Sequence, residues 1–242
     1  MVRAGGHSHD GRGQLQGHSP VNTNPSEVLF ERLHQGGIIA VLVLDDPKSA
    51  VPMARALLAG GVNSIELTLR TPGALEALRR ITAEVPEMIV GAGTVIAPEQ
   101  VSQVMDAGAA FAVAPGTNPR VIAEAKQLGL PFAPGVCTPT DIEMALEQGC
   151  RVVKLFPSEP CGGLTYLRSI AAPYAHLGLR FIPLGGLNAS NAATYLTEPS
   201  VLALGGSWLG PKDKMVAQDW QGITHLAGEA SAIIRSVRQP SS

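Results

Sequence analysis

A lysine stands in the middle of an apolar run, Arg151-Val152-Val153-Lys154-Leu155-Phe156-Pro157. Burying an unpaired ammonium is expensive, so such a lysine must find a partner or lose its charge. Desolvation favours the neutral amine, the form that attacks a carbonyl. A carboxylate stands in a second apolar run, Ile65-Glu66-Leu67-Thr68-Leu69-Arg70-Thr71. Side chains alternate faces along a strand, so Glu66, Thr68 and Arg70 share one face and Ile65, Leu67 and Leu69 the other. A buried lysine near a buried carboxylate is a candidate Schiff-base pair. A purely structural Lys154–Glu66 ion pair is the alternative, although such pairs stabilise poorly compared with apolar replacements. An edge strand on the surface would show the same alternation over 65–71.

Three glycine pairs come late in the chain: Cys161-Gly162-Gly163-Leu164, Leu184-Gly185-Gly186-Leu187 and Gly205-Gly206-Ser207-Trp208. Glycines let backbone N–H groups converge on an anion, and a helix N-terminus adds a favourable field. With the Ser207 hydroxyl they suggest a phosphorylated substrate; plain turns are the alternative. Thr94, in Gly91-Ala92-Gly93-Thr94, is placed to donate to a carboxylate or to cap a helix. Ala114-Pro115-Gly116 and Ala133-Pro134-Gly135 end two strands in matching fashion. Phe156 shares parity with Lys154 and walls the same space or belongs to the core. His34, His176 and His225 show no partner pattern.

These residues need a scaffold. Short β-type runs alternate with helical segments from about Glu27 onward. Strands are expected over 38–44, 64–69, 88–92, 111–114, 131–133, 151–156, 180–183 and 201–204. Helices are expected over 48–59, 73–84, 99–107, 119–128, 140–147, 164–171, 189–196 and 222–237. Thr71-Pro72, Thr138-Pro139 and Asn188 read as helix starts, and Gly60-Gly61, Gly108, Gly129 and Gly149 as helix ends. Strand–helix alternation argues for a parallel sheet. Eight repeats favour a closed (β/α)₈ TIM barrel with an N-terminal helix over an open doubly wound sheet. No glycine fingerprint follows the first strand, where the chain reads Val43-Leu44-Asp45-Asp46-Pro47. In a barrel, the polar face of 65–71 would climb toward the C-terminal mouth, and phosphate would bind after strands seven and eight.

The 242 residues suit one catalytic domain over 26–242 preceded by a polar tail over 1–25. His7, His9 and His18 in that tail lack metal-type spacing. The net charge of −2 and the absence of a basic stripe argue against nucleic acid. No apolar run is long enough to span a bilayer, and no secretory signal is visible. Cys137, Cys150 and Cys161 are expected to be reduced thiols in a cytoplasmic protein.

In order, Glu66-Leu67-Thr68-Leu69-Arg70-Thr71, Gly91-Ala92-Gly93-Thr94-Val95, Ala114-Pro115-Gly116, Pro134-Gly135, Lys154-Leu155-Phe156-Pro157 and Gly205-Gly206-Ser207-Trp208-Leu209 resemble the KDPG/KHG aldolases, the class I aldolases of 2-keto-3-deoxy-6-phosphogluconate. The resemblance covers about residues 27–237. It implies retro-aldol cleavage of that phosphorylated 2-keto acid to pyruvate and glyceraldehyde 3-phosphate, in a homotrimer without metal or cofactor. It also implies Lys154 as the Schiff-base lysine, Glu66 as the proton shuttle, and Arg70 and Thr94 as holders of the substrate carboxylate. Pro115 and Phe156 would line the pocket, and Gly162, Gly163, Gly185, Gly186, Gly206 and Ser207 would surround the phosphate.

Where the family has Pro-Thr-Gly-Gly, this chain has Pro183-Leu184-Gly185-Gly186. Leu184 removes a hydroxyl beside the distal half of the substrate, which leaves the aldehyde half open. Cleavage of 4-hydroxy-2-oxoglutarate or a related keto acid is an alternative. So are a sugar-phosphate isomerase or epimerase with Glu66 as base and no imine, and a barrel that only binds a phosphorylated acid. A metal-dependent aldolase would need clustered ligands, which the sequence does not offer.

Overall fold

The structure is a computed structural model, and it describes Met1 and residues 25–238. The expected tail, with His7, His9 and His18, lies outside the described residues apart from Met1 and Pro25. The N-terminal helix α1 spans Pro25–Gly36. Among the described residues nine short parallel strands follow: β1 Ile38–Leu42, β2 Ser64–Thr68, β3 Ile89–Gly93, β4 Phe111–Val113, β5 Phe132–Ala133, β6 Gly135–Val136, β7 Val152–Leu155, β8 Arg180–Pro183 and β9 Leu204–Gly206. Between and after them run α2 Ala50–Ala59, α3 Ala74–Glu84, α4 Pro98–Asp106, α5 Pro119–Leu128, α6 Pro139–Glu147, α7 Gly163–Ala171, α8 Ala189–Leu196, α9 Lys212–Val216 and α10 Trp220–Arg238.

The strands form because they are buried on both faces. β1, Ile-Ile-Ala-Val-Leu, is buried throughout, as parallel strands covered by helices are. Alternate residues serve different layers. Ile38, Ala40 and Leu42 pack in the cluster beneath the helices, with Ile65, Leu67, Val90, Ala92, Val153 and Leu155. Ile39, Ile89, Phe111, Val113, Ala133 and Ile182 form a second cluster on the other side of the strands. Several helices start and stop on the expected signals. Thr138 makes a reciprocal capping box with Asp141, and Asn188 caps α8. Gly61, Gly108, Gly129 and Gly149 all take positive φ after a helix.

Four expectations need correction. The strands do not form one continuous eight-membered ladder. They form a six-stranded sheet, β5-β4-β3-β2-β1-β9, and a three-stranded sheet, β6-β7-β8. Pro134 parts β5 from β6, because proline has no N–H to give to a ladder. At the other end, isolated bridges Phe181–Val201 and Leu184–Gly205 connect β8 to the chain around β9. Second, the last strand is Leu204–Gly206, so Gly205 and Gly206 lie within it and not after it; Val201 makes only a bridge. Third, β2 ends at Thr68, so the strand alternation does not reach Arg70. Fourth, Thr71 does not cap a helix; α3 is capped at Gly73, and the Thr71 hydroxyl donates to Leu44 O at 2.6 Å.

The longest helix, α10, closes against α2. Thr224 Oγ1 donates to Ala56 O at 3.0 Å and Ser231 Oγ to Gly60 O at 2.7 Å. A Cβ at Gly60 would stand 2.4 Å from Ala227 Cβ and 2.5 Å from Thr224 O. Gly60→Ala must therefore push the two helices apart. It is expected to lower stability by about 1–3 kcal/mol, read as an earlier thermal midpoint. An unchanged midpoint would show that this helix contact is slack.

Candidate active site

Lys154 and Glu66 meet. Nζ of Lys154 lies 2.9 Å from Oε1 of Glu66, with the residues 4 % and 2 % exposed. Lys154 comes from β7 and Glu66 from β2, strands of different sheets. The pair therefore reaches across the space between the sheets. The sequence prepares that space at β3, Ile89-Val90-Gly91-Ala92-Gly93. A Cβ at Gly93 would stand 2.2 Å from Glu66 Oε1, and one at Gly91 would stand 2.3 Å from the Phe111 ring. Glycine at 93 is thus what admits the carboxylate. Phe156, two residues past Lys154 on the same face, sets its ring centroid 5.4 Å from Nζ, within range of a cation–π contact. The Phe156-Pro157 peptide bond is cis.

The other expected residues lie just beyond the C-terminal ends of the strands. Arg70 is exposed in the turn after β2, where its N–H donates to Thr68 O at 2.8 Å. Thr94 follows β3 directly and holds φ at +61°. A β-branched residue in the left-handed region costs about 1–3 kcal/mol, a strain that clusters at functional sites. Thr94 is not a helix cap, since α4 is capped at Ala97. Thr68 turns its hydroxyl back to Leu42 O at 3.1 Å, so it is a strand-to-strand tie. Pro115 is exposed after β4, and its backbone comes so close to Gly135 that a Cβ there would stand 2.2 Å away.

The glycine loops also converge. Gly162, Gly163, Gly185 and Gly186 all take positive φ, and Gly162 caps α7. Ser158 N–H donates to Leu184 O and Glu159 N–H to Gly185 O, which stitches the loop after β7 to the loop after β8. Leu184 is 7 % exposed and occupies the room that a Cβ at Gly205 would need. Gly206 is buried at the end of β9 and Ser207 is exposed just after it.

Sequence reasoning missed two groups here. Glu159 accepts a short hydrogen bond from Tyr195 OH, and its side chain lies against both Gly163 and Gly186. Tyr195 is buried, and its hydroxyl also meets Ser158 Oγ at 3.1 Å. Burial first, and then the Glu159 hydrogen bond, push the Tyr195 phenol up to about 12. Tyr195 lies in the segment expected to be helical over 189–196, and nothing in its spacing points to Glu159. His34 sits at the other end of the strands, beside Leu202 O and Arg180. Among the described residues no group of three metal-type ligands occurs, and no helix is long and apolar enough to cross a membrane. A hollow lined by Phe30, Ile122, Lys126, Phe132 and Arg151 shares no residue with the lysine–carboxylate site.

A parallel α/β fold with an amine and a carboxylate paired between its sheets, and polar groups gathered at the strands' C-terminal ends, has the parts that a lysine-dependent enzyme needs. Known proteins narrow the class. The family model for KDPG and KHG aldolase matches residues 29–226. The chain belongs to that family. The 2-dehydro-3-deoxy-phosphogluconate aldolase of Treponema pallidum is 43 % identical over 206 residues, covering 85 % of this chain and 97 % of the relative. The 2-keto-3-deoxy-6-phosphogluconate aldolase of Zymomonas mobilis, solved with 3-phosphoglycerate, is 40 % identical with a TM-score of 0.80, covering 87 % of this chain and 97 % of that one. The KDPG aldolase of Legionella pneumophila, solved with pyruvate captured as a covalent carbinolamine, is 35 % identical with a TM-score of 0.79, covering 85 % and 97 %.

Removing one member of a buried pair leaves the other charge uncompensated, whereas replacing both with apolar groups of similar volume does not. Lys154→Met is expected to cost about 3–5 kcal/mol in urea unfolding, and Lys154→Met with Glu66→Leu to recover most of the loss. A single variant as stable as the parent would mean the pair is not desolvated.

Proposed function

We propose that this chain is a class I aldolase that cleaves 2-keto-3-deoxy-6-phosphogluconate to pyruvate and glyceraldehyde 3-phosphate. The observation that carries this reading is the buried contact of 2.9 Å between Lys154 Nζ and Glu66 Oε1. A nucleophilic amine needs a base at hydrogen-bond reach, and a binding site has no use for a buried one. The carbinolamine captured in the Legionella relative is the adduct that such an amine forms.

The chemistry follows in order. Glu66 takes a proton from Lys154, and Nζ attacks C2 of the keto acid to give a carbinolamine. Glu66 returns the proton to the departing hydroxyl, and water leaves. The protonated imine draws electrons as the C3–C4 bond breaks, while Glu66 accepts the C4 hydroxyl proton. The aldehyde departs, the enamine is protonated at C3, and water releases pyruvate from Lys154. Arg70 forks onto the carboxylate, with Thr94 as second donor, and this fixes C2 against Nζ. Phe156 and Pro115 wall the pocket, and Phe156 keeps water from the amine. Gly162, Gly163, Gly185, Gly186 and Gly206 surround the phosphate with the Ser207 hydroxyl; Gly185 and Gly186 offer backbone N–H groups, while those of Gly162 and Gly163 already serve Glu159 O and Ser158 O.

The same proposal extends to the scaffold. The two ladders are arcs of one (β/α)₈ barrel with β5 and β6 as a single strand broken at Pro134, forming one catalytic domain over 26–242. The bridges from β8 to Val201 and Gly205 support closure. The expected homotrimer rests on the family alone.

The test is trapping. Incubation with pyruvate and borohydride, followed by peptide mapping, is expected to leave a reduced pyruvyl adduct on Lys154 and none on Lys154→Ala. Arg70→Ala is expected to raise KM about 10- to 100-fold with a smaller change in kcat, the loss of a charge-assisted hydrogen bond. A folded protein with no adduct would overturn the covalent mechanism.

A further inference from the structure

Two thiols that this reaction does not use lie together beyond the C-terminal ends of β6 and β7. Cys137 follows β6 and Cys161 follows β7, 24 residues later, and their Sγ atoms are 3.0 Å apart. A disulfide bond is about 2.0 Å long, so roughly 1 Å separates the pair from a covalent link. Both residues are half-buried free thiols. The backbone holds each of them in place. Cys137 N–H donates to Asp141 Oδ2 at 2.9 Å, and Cys137 O accepts from the Tyr166 hydroxyl on α7. Cys161 N–H donates to Pro157 O at 3.3 Å, and Gly162 and Gly163 come directly after it.

We propose that Cys137 and Cys161 form a reversible modification site, a thiol pair that a peroxide closes to a disulfide tying the loop after β6 to the glycine turn after β7. The contact makes each sulfur the other's partner. The Cys137 thiol is pushed up, first by its hydrogen bond with Cys161 and then by burial. One sulfur of the pair attacks the peroxide and breaks the O–O bond; its proton goes to the departing oxygen, which leaves as water, and the sulfur becomes a sulfenic acid. The second sulfur then attacks the first, its proton goes to the leaving oxygen, and a second water departs. Two thiols lose two electrons and one hydrogen peroxide becomes two waters. A dithiol reductant restores both thiols by exchange. Cys150 lies apart, just before β7, and has no part in the pair. Closing the bond draws the Gly162-Gly163 turn toward β6. This last consequence rests on the proposed aldolase reading, in which that turn helps to surround the phosphate.

The full chain is treated with a small excess of hydrogen peroxide, alkylated, and digested without reductant. The expected product is a Cys137–Cys161 cross-linked peptide about 2 Da lighter than the sum of its reduced parts, with Cys150 alkylated and full reversal by dithiothreitol. Cys137→Ser and Cys161→Ser should each abolish the cross-link, and Cys150→Ser should not. Alkylation of both cysteines after peroxide, or sulfinic acid in place of the cross-link, would overturn the site. Peptide mapping gives this answer whether or not Lys154 traps pyruvate. In kinetics, the oxidised protein should show KM for the phosphorylated keto acid raised at least about threefold, with pyruvate trapping on Lys154 intact and no response in Cys137→Ser. A disulfide that leaves KM unchanged would overturn the link to the phosphate turn.

Discussion

One buried ion pair constrains the rest of this molecule. Lys154 and Glu66 have left water, and each is tolerable only because the other is there. Their contact joins a strand of the six-stranded sheet to a strand of the three-stranded sheet. The two sheets therefore cannot shift relative to each other without exposing an unpaired charge to an apolar interior. Apolar residues of similar volume would hold the sheets at lower cost. That an amine and a carboxylate stand there is best explained by chemistry that needs both.

The neighbouring residues show how the space is shaped around that pair. On β3 the inward positions are Ile89, Gly91 and Gly93, and the two glycines yield their room to the Phe111 ring and the Glu66 carboxylate. Below this level the same faces carry Ile39, Val113 and Ile182 in a packed apolar cluster. The interior is thus closed at one end and polar at the other. The chain leaves strands β2 and β3 at that polar end, through the turn at Arg70 and the left-handed Thr94. Strain at Thr94 persists because β3 on one side and the Val95–Val113 hydrogen bond on the other fix the backbone.

The paired charges were legible in the sequence for a physical reason. A charge inside an apolar run is costly, so Lys154 and Glu66 announce a burial that has to be compensated. The parallel α/β class and most helix ends were legible too, since alternation, capping residues and terminal glycines are local signals. What depends on contacts between distant segments was not legible. The break at Pro134, the shift of the last strand onto Gly205-Gly206, and the use of Thr71 as a tie to Leu44 are set by neighbouring strands. The Tyr195–Glu159 hydrogen bond and the Cys137–Cys161 contact likewise join residues whose own surroundings in the chain give no hint of a partner.

Leu184 shows where specificity has to come from in such a site. It is buried, opposite Gly205, at the level where the loops after β7 and β8 are stitched together. An apolar side chain there excludes water but offers nothing to a hydroxyl. On the proposed aldolase reading, the distal half of the substrate is oriented by the backbone of the Gly185-Gly186 turn and by Ser207, since the N–H groups of Gly162 and Gly163 are spent on Glu159 O and Ser158 O. Backbone donors hold an anion well and distinguish poorly between the carbon chains that carry it. In this reading, recognition of the pyruvate half is set by the side chains of Arg70, Thr94 and Lys154, and recognition of the aldehyde half by its charge. Glu159 sharpens that division. Its carboxylate lies against Gly163 and Gly186 and is held by Tyr195, so in the same reading the phosphate has to approach the turns from the side away from that negative charge.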